Sequence, residues 1–153
     1  MSSSQPPSIQ ELKRTLVAAG LEIYRTRPDA VHLAERPRDN QILDAGISVR
    51  PAGEREIEVR VVMRAQRSDF PRDPIDTLYQ RVREHAEGDL LARGFTEIET
   101  REQRMLDPGD KTKTLDTWYE LVFSRTFADL ESAIADVKRV LPVEKFVKGP
   151  GQP

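Results

Sequence analysis

The chain has 153 residues, 37% hydrophobic and 33% charged, and its 24 basic against 26 acidic side chains give a net charge of -2. The two signs are interspersed, which excludes the global basic footprint of a nucleic-acid or anionic-membrane binder, and the length suits one domain with its own core. With no cysteine, disulfides, thiol nucleophiles, iron–sulfur clusters and thiolate-bound zinc are excluded.

Met1 to Pro7 is rich in Ser, Gln and Pro, without the basic start and apolar run of a signal peptide. No stretch approaches the roughly 20 apolar residues that cross a bilayer, so a cytoplasmic protein is expected. Residues 1–7 and 148–153 read as flexible tails, too poor in apolar side chains to offset their ordering entropy, around a single domain at 8–147.

Ser8 with Glu11 reads as a capping box, and Ile9, Leu12, Leu16 and Ala19 recur at helical spacing before Gly20, which can turn left-handed. A first helix over Ile9 to Ala19 follows. Leu21 to Tyr24 and Ala30 to Ala34 form a small hairpin around Arg27, Pro28 and Asp29, and Arg36 to Asn40 is a charged loop. Leu43, Ala45, Ile47 and Val49, then Ile57, Val59, Val61, Met63 and Ala65, alternate with mostly polar neighbours across a Pro-Ala-Gly-Glu turn. Period two over consecutive runs means an antiparallel pair with one buried and one wet face.

Asp73 is the expected N-cap of a second helix, with Pro74 at its first position, where a missing N–H costs nothing. Ile75, Leu78, Tyr79, Val82, Ala86 and Leu90 carry this helix through about five turns to Gly94, with Gly88 weakening its middle. Thr96 to Leu106 and Lys113 to Arg125 flank an Asp-Pro-Gly-Asp turn and form a longer hairpin. Thr126 and Asp129 read as a further capping box, and Phe127, Leu130, Ile134, Val137 and Leu141 repeat helically until Pro142 stops the helix. The whole is an α+β fold, an antiparallel sheet of four to six strands with three helices in the order α-ββββ-α-ββ-α.

Little of this is catalytic material. The two histidines, His32 on a short strand and His85 in the middle helix beside Arg81, Glu84 and Asp89, stand far from a ligand set. A double substitution of both would test an enzyme reading. The Walker, G-x-S-x-G, H-E-x-x-H and G-x-G-x-x-G patterns are absent. Glu97, Glu99 and Glu102 with Asp89 are explained by a wet sheet face shared with Arg101. Arg81, Arg83 and Arg93 are interleaved with Glu84, Glu87 and Asp89, and Arg36 and Arg38 with Asp39, so no phosphate-binding patch arises. No catalytic, cofactor-binding or metal-binding residue is assigned, and no cofactor is expected.

What remains is apolar surface. Tyr119, Leu121 and Phe123 share one face of the last strand, while Trp118, Glu120 and Val122 share the other. One layer of helices cannot easily cover both faces, and an exposed aromatic patch marks a partner surface. The alternative is that Trp118 packs under the first helix or Phe146.

The order helix, strand group, long middle helix, strand pair and closing helix resembles class I type III secretion chaperones and the bacterial sensory-transduction-regulator proteins. It does so over Ser8 to Leu141, most clearly where the strand at Trp118 runs into the final capped helix. The resemblance implies a small non-enzymatic dimer that holds an extended partner segment on hydrophobic patches and strand edges, with Trp118, Val122 and the strand Ile57 to Ala65 as contact positions.

The reading that follows is a protein-binding module, chaperone- or adaptor-like, and a homodimer. Trp118, Val122, Glu120, Val62 and Arg60 contact a protein segment, without nucleic acid or membrane. A second reading is a small-molecule-binding domain whose apolar pocket is lined by Tyr119, Phe123 and Met63.

Overall fold

The computed structural model describes residues 6–38 and 40–149. Its described residues form three α-helices and six strands in the order α-ββββ-α-ββ-α: α1 (Ile9–Ala18), β1 (Ile23–Thr26), β2 (Val31–Arg38), β3 (Gln41–Pro51), β4 (Ile57–Gln66), α2 (Ile75–Glu87), β5 (Thr96–Asp107), β6 (Asp110–Phe127) and α3 (Leu130–Val140). The strands make one antiparallel sheet with β1 and β5 at its two edges, ordered β1-β2-β3-β4-β6-β5. The α+β architecture is therefore the expected one.

The chain divides into two compact units, each assembled from two separated stretches. The first takes the chain up to Val61 together with Ser124–Val143, and the second takes Val62–Phe123 together with the chain from Glu144 onward. β4 and β6 each give residues to both units.

In the first unit, Ser8 is extended and its Oγ accepts the Glu11 N–H at 3.1 Å, starting α1 as a side-chain N-cap should. Leu12 and Leu16 are fully buried, and Gly20 at φ 89° takes the left-handed turn beyond the helix. β3 and β4 pair with Ile47 opposite Val61 and Val49 opposite Val59, all four fully buried, while Ser48 faces Arg60 and Arg50 faces Glu58 on the other side. Each such aliphatic side chain removed from water contributes about 1.5–3 kcal/mol before entropy is counted. α3 adds Ala133, Val137 and Val140, all at 0% exposure.

In the second unit, Met63, Ala65, Leu78, Val82, Ala86, Leu90, Phe95, Leu121 and Phe123 form the core, and Tyr79 meets Tyr119 edge-on with ring centres 5.7 Å apart. α2 delivers Leu78, Val82 and Ala86 from one stripe.

The element boundaries differ from expectation in four places, each for a local reason. Asp73 does not cap α2: no side chain caps that end, Pro74 is the boundary residue, and the Asp73 carboxylate binds Arg81 at 2.7 Å instead. Gly88 ends α2 rather than weakening its middle, and a separate 3-10 turn at Leu91–Arg93 leads to Gly94, left-handed at φ 89°. Thr126 still lies in β6. The cap of α3 is Asp129, which accepts the Ser132 N–H at 2.7 Å, so Phe127 ends the strand instead of opening the helix. Finally, Arg36 and Arg38 belong to β2, which runs on as a hairpin with β3 where a loop was expected. Position 39 lies outside the described residues, as do 1–5 and 150–153 of the expected tails.

Candidate functional site

The most developed constellation lies in the second unit, on β4 from Val62 onward. In the first unit β4 pairs with β3 up to Val61, opposite Ile47. Further along, Arg64 pairs in parallel with Phe146: its N–H donates to the Lys145 carbonyl and its carbonyl accepts from the Val147 N–H, both at 2.9 Å. The C-terminal segment thus lies along β4 as an extended strand would. Its start is fixed where His85 Nε2–H donates to the Glu144 carbonyl at 2.6 Å, and its end where Gly149 passes so close to Asp69 that an added Cβ would stand 2.8 Å from the Asp69 carbonyl oxygen.

Side chains reinforce the backbone pairing. Phe146 and Trp118 form a T-shaped pair, with ring centres 5.8 Å apart and planes at 86°. The Arg64 guanidinium lies 4.9 Å from the centre of the Trp118 ring and 5.2 Å from that of Phe146, a cation shared between two aromatic faces. Arg64 also reaches Glu120 at 3.2 Å, and Arg101 approaches the other carboxylate oxygen at 3.7 Å. A carboxylate only 4% exposed is tolerable in such a place because two guanidiniums meet it. The Trp118 indole N–H is buried and has no acceptor among the described residues.

The five residues expected to contact a partner divide as follows. Trp118 and Val62 are partly exposed, whereas Glu120 and Val122 are 3% and 2% exposed. Val122 therefore presents no apolar surface, and the sheet face expected to be open is covered at that strand position. Trp118 takes the alternative seat, against Phe146. Arg60 belongs to the first unit, where its Nε donates to Glu58 at 2.9 Å. Phe146 was the alternative neighbour expected for Trp118 and Arg64 lies in the expected contact strand Ile57 to Ala65; what sequence reasoning missed is the backbone pairing of the 144–149 segment with Arg64. A single Phe in a short polar stretch was the available signal.

Glu58 is the most constrained ionisable group of the first unit. Burial opposes its charge, but hydrogen bonds from Arg60 and from Ser124 Oγ (2.6 Å), with the fields of Arg60 and Arg50, hold its carboxyl below the ordinary value. His32, opposite Ser48, is shifted down, first by burial and then by Arg27, Arg50 and Arg25, against the pull of Asp44. Neither histidine joins a set of acids: among the described residues no three or more His, Asp or Glu side chains are placed to hold a metal ion. Met63 and Phe123 are fully buried and Tyr119 is 5% exposed. No helix among the described residues is long and apolar enough to cross a membrane.

No protein-family model matches the chain, and no curated protein or solved structure is significantly similar to it.

Proposed function

We propose that the protein is a non-enzymatic, chaperone- or adaptor-like module that takes up an extended segment of another polypeptide along β4 at Arg64, working without a cofactor. The observation that carries this reading is the seat of the chain's own 144–149 segment. Both backbone groups of Arg64 are paired to it, and Phe146 is clasped between Trp118 and Arg64. Addition of a strand to a sheet edge draws affinity from main-chain hydrogen bonds and specificity from side-chain pockets. Here the pocket wants an aromatic ring next to a cation. A partner segment that displaces Phe146 meets the same Arg64 backbone and the same guanidinium, and it can offer a carbonyl to the indole N–H of Trp118. An unpaired buried donor costs about 1–3 kcal/mol, which is available to a ligand that satisfies it. Charge complementarity with Glu120, Arg101 and the neighbouring Arg and Glu side chains then selects among partners. The likeness in element order to secretion chaperones is in keeping with this mode.

The test uses the full chain with Phe146→Ala, which removes the aromatic plug, and a synthetic peptide spanning 143–149. The protein has one tryptophan, so Trp118 emission reports the site alone. Saturable peptide binding with a blue shift in Phe146→Ala, weaker in the unaltered chain, is the expected result. Absence of saturation in the variant at millimolar peptide rejects the reading.

A further inference from the structure

A different edge of the sheet carries a different interaction. The two edge strands are unequal. β1 has four residues, contains a register shift between Ile23 and Arg25, and is followed at once by Pro28, the devices by which an edge is made unattractive to a further strand. β5 has 12 residues, TEIETREQRMLD, without proline, glycine or lysine, and every residue from Thr96 to Leu106 is exposed on both faces. Ile98 (47%), Met105 (41%) and Leu106 (44%) are uncovered on it, and Leu115 (52%) on the adjoining part of β6. A long edge of this kind, without proline or lysine and bearing apolar side chains between its mixed charges, is a pairing template for a strand of complementary charge.

The charge pattern of β5 selects what pairs with it. Antiparallel pairing of a strand with its own copy about an axis normal to the sheet sets one residue opposite itself, and residues equally far on either side opposite each other. Centring on Glu99, Arg101, Glu102 or Arg104 sets like charges face to face on the axis, and centring on Gln103 opposes Glu99 to Asp107. Centring on Thr100 does neither. It sets Thr100 against Thr100 of the second copy and Glu99 against Arg101 of the second copy, twice by symmetry, with Ile98 against Glu102 and Glu97 against Gln103. Opposite charges and Thr–Thr pairs are the favourable cross-strand partners, and like charges the unfavourable ones. The Tyr79 hydroxyl already donates to the Arg101 carbonyl at 3.0 Å, and a carbonyl oxygen retains a second lone pair for another donor.

We infer that β5 is a self-association edge, on which a second copy of this chain adds its own β5 antiparallel in the register centred on Thr100. The inference concerns β5 alone and does not rest on the capture of a segment at β4.

The native chain has no cysteine, so a single introduced thiol reports only itself. In the full chain, Thr100→Cys stands opposite its own copy, within the span of roughly 7 Å between Cα atoms that a disulfide can bridge. Gln103→Cys is displaced from its counterpart along the strand by far more. Under mild oxidation Thr100→Cys yields a disulfide-linked dimer and Gln103→Cys stays monomeric. By sedimentation velocity the unaltered chain is a dimer, and Glu99→Arg and Arg101→Glu each weaken dimerisation by about tenfold or more. Mixed together, those two variants restore it as a heterodimer, because each brings the charge the other lacks. Circular dichroism checks that both remain folded. A chain that stays monomeric at all attainable concentrations, cross-linking at 103 as efficient as at 100, or no recovery on mixing two folded variants overturns the inference.

Discussion

The rings of Phe146 and Trp118 meet nearly perpendicular, 5.8 Å between centres, and this contact helps fasten the segment around Phe146 to β4. Removing the ring takes away an aromatic pair and half-buried apolar area together. Phe146→Ala costs about 1–2 kcal/mol and shifts Trp118 emission to the red as water reaches the indole. Urea unfolding followed by fluorescence and by circular dichroism measures both, and unchanged emission would mean that the segment is held by its backbone alone.

Glu120 and Arg64 form a largely buried ion pair, with side-chain exposures of 4% and 18%. Losing one partner strands the other, so Glu120→Gln costs about 1–3 kcal/mol. Replacing both, Arg64→Met with Glu120→Leu, costs less than either single change because the only charge left without its partner, Arg101, is 45% exposed and hydrated. A double-mutant cycle in denaturant decides this, and simple additivity of the two changes would contradict it.

Glycine positions separate two opposite expectations. Gly88 has helical backbone angles, and a Cβ there meets nothing within 4 Å, so Gly88→Ala stabilises by about 0.4–1 kcal/mol through the unfolded state. Gly20 is equally uncrowded but sits at φ 89°, where an L side chain is strained, and Gly20→Ala destabilises by about 1 kcal/mol. Thermal unfolding midpoints should move in opposite directions.

The boundaries of these elements show what the amino-acid pattern can and cannot carry. Alternation at Ile57 to Ala65 gave β4 and its buried face because burial itself imposes period two. Caps were harder. Asp73 and Thr126 have the right chemistry for a helix start, yet Asp73 is taken by Arg81 and Thr126 by the continuing strand, and only tertiary partners settle such competition. The exposure of β5 was in principle readable, since charges fall on both of its faces in TEIETREQR. The contact of Phe146 with Trp118 was open as an alternative, but the backbone pairing of its segment with Arg64 was not readable, because a segment held by a single bridge needs no periodic pattern of its own.

Glu58 gives the first unit an acid limb. Its carboxyl titrates below the ordinary value despite burial, held by Arg60 and Ser124. A depressed folded-state value means that the contribution is complete above the unfolded value, about 4.3, and is lost as pH falls through the lower folded one. Stability should therefore fall on acidification from roughly pH 5 downward, and Glu58→Gln should flatten that slope while lowering stability at neutral pH. Denaturant midpoints between pH 3 and 7 provide the comparison. An identical acid limb in the variant would assign it to other carboxylates.

The interleaving of the two units along the chain bears on how the protein comes into being. The first is incomplete until Ser124–Val143 has been synthesised, and the second until the stretch from Glu144 onward has followed. During translation neither can close early and shelter its apolar strands. The growing polypeptide therefore carries β4 unfinished until both later stretches have been made, and neither unit folds from one uninterrupted piece of chain.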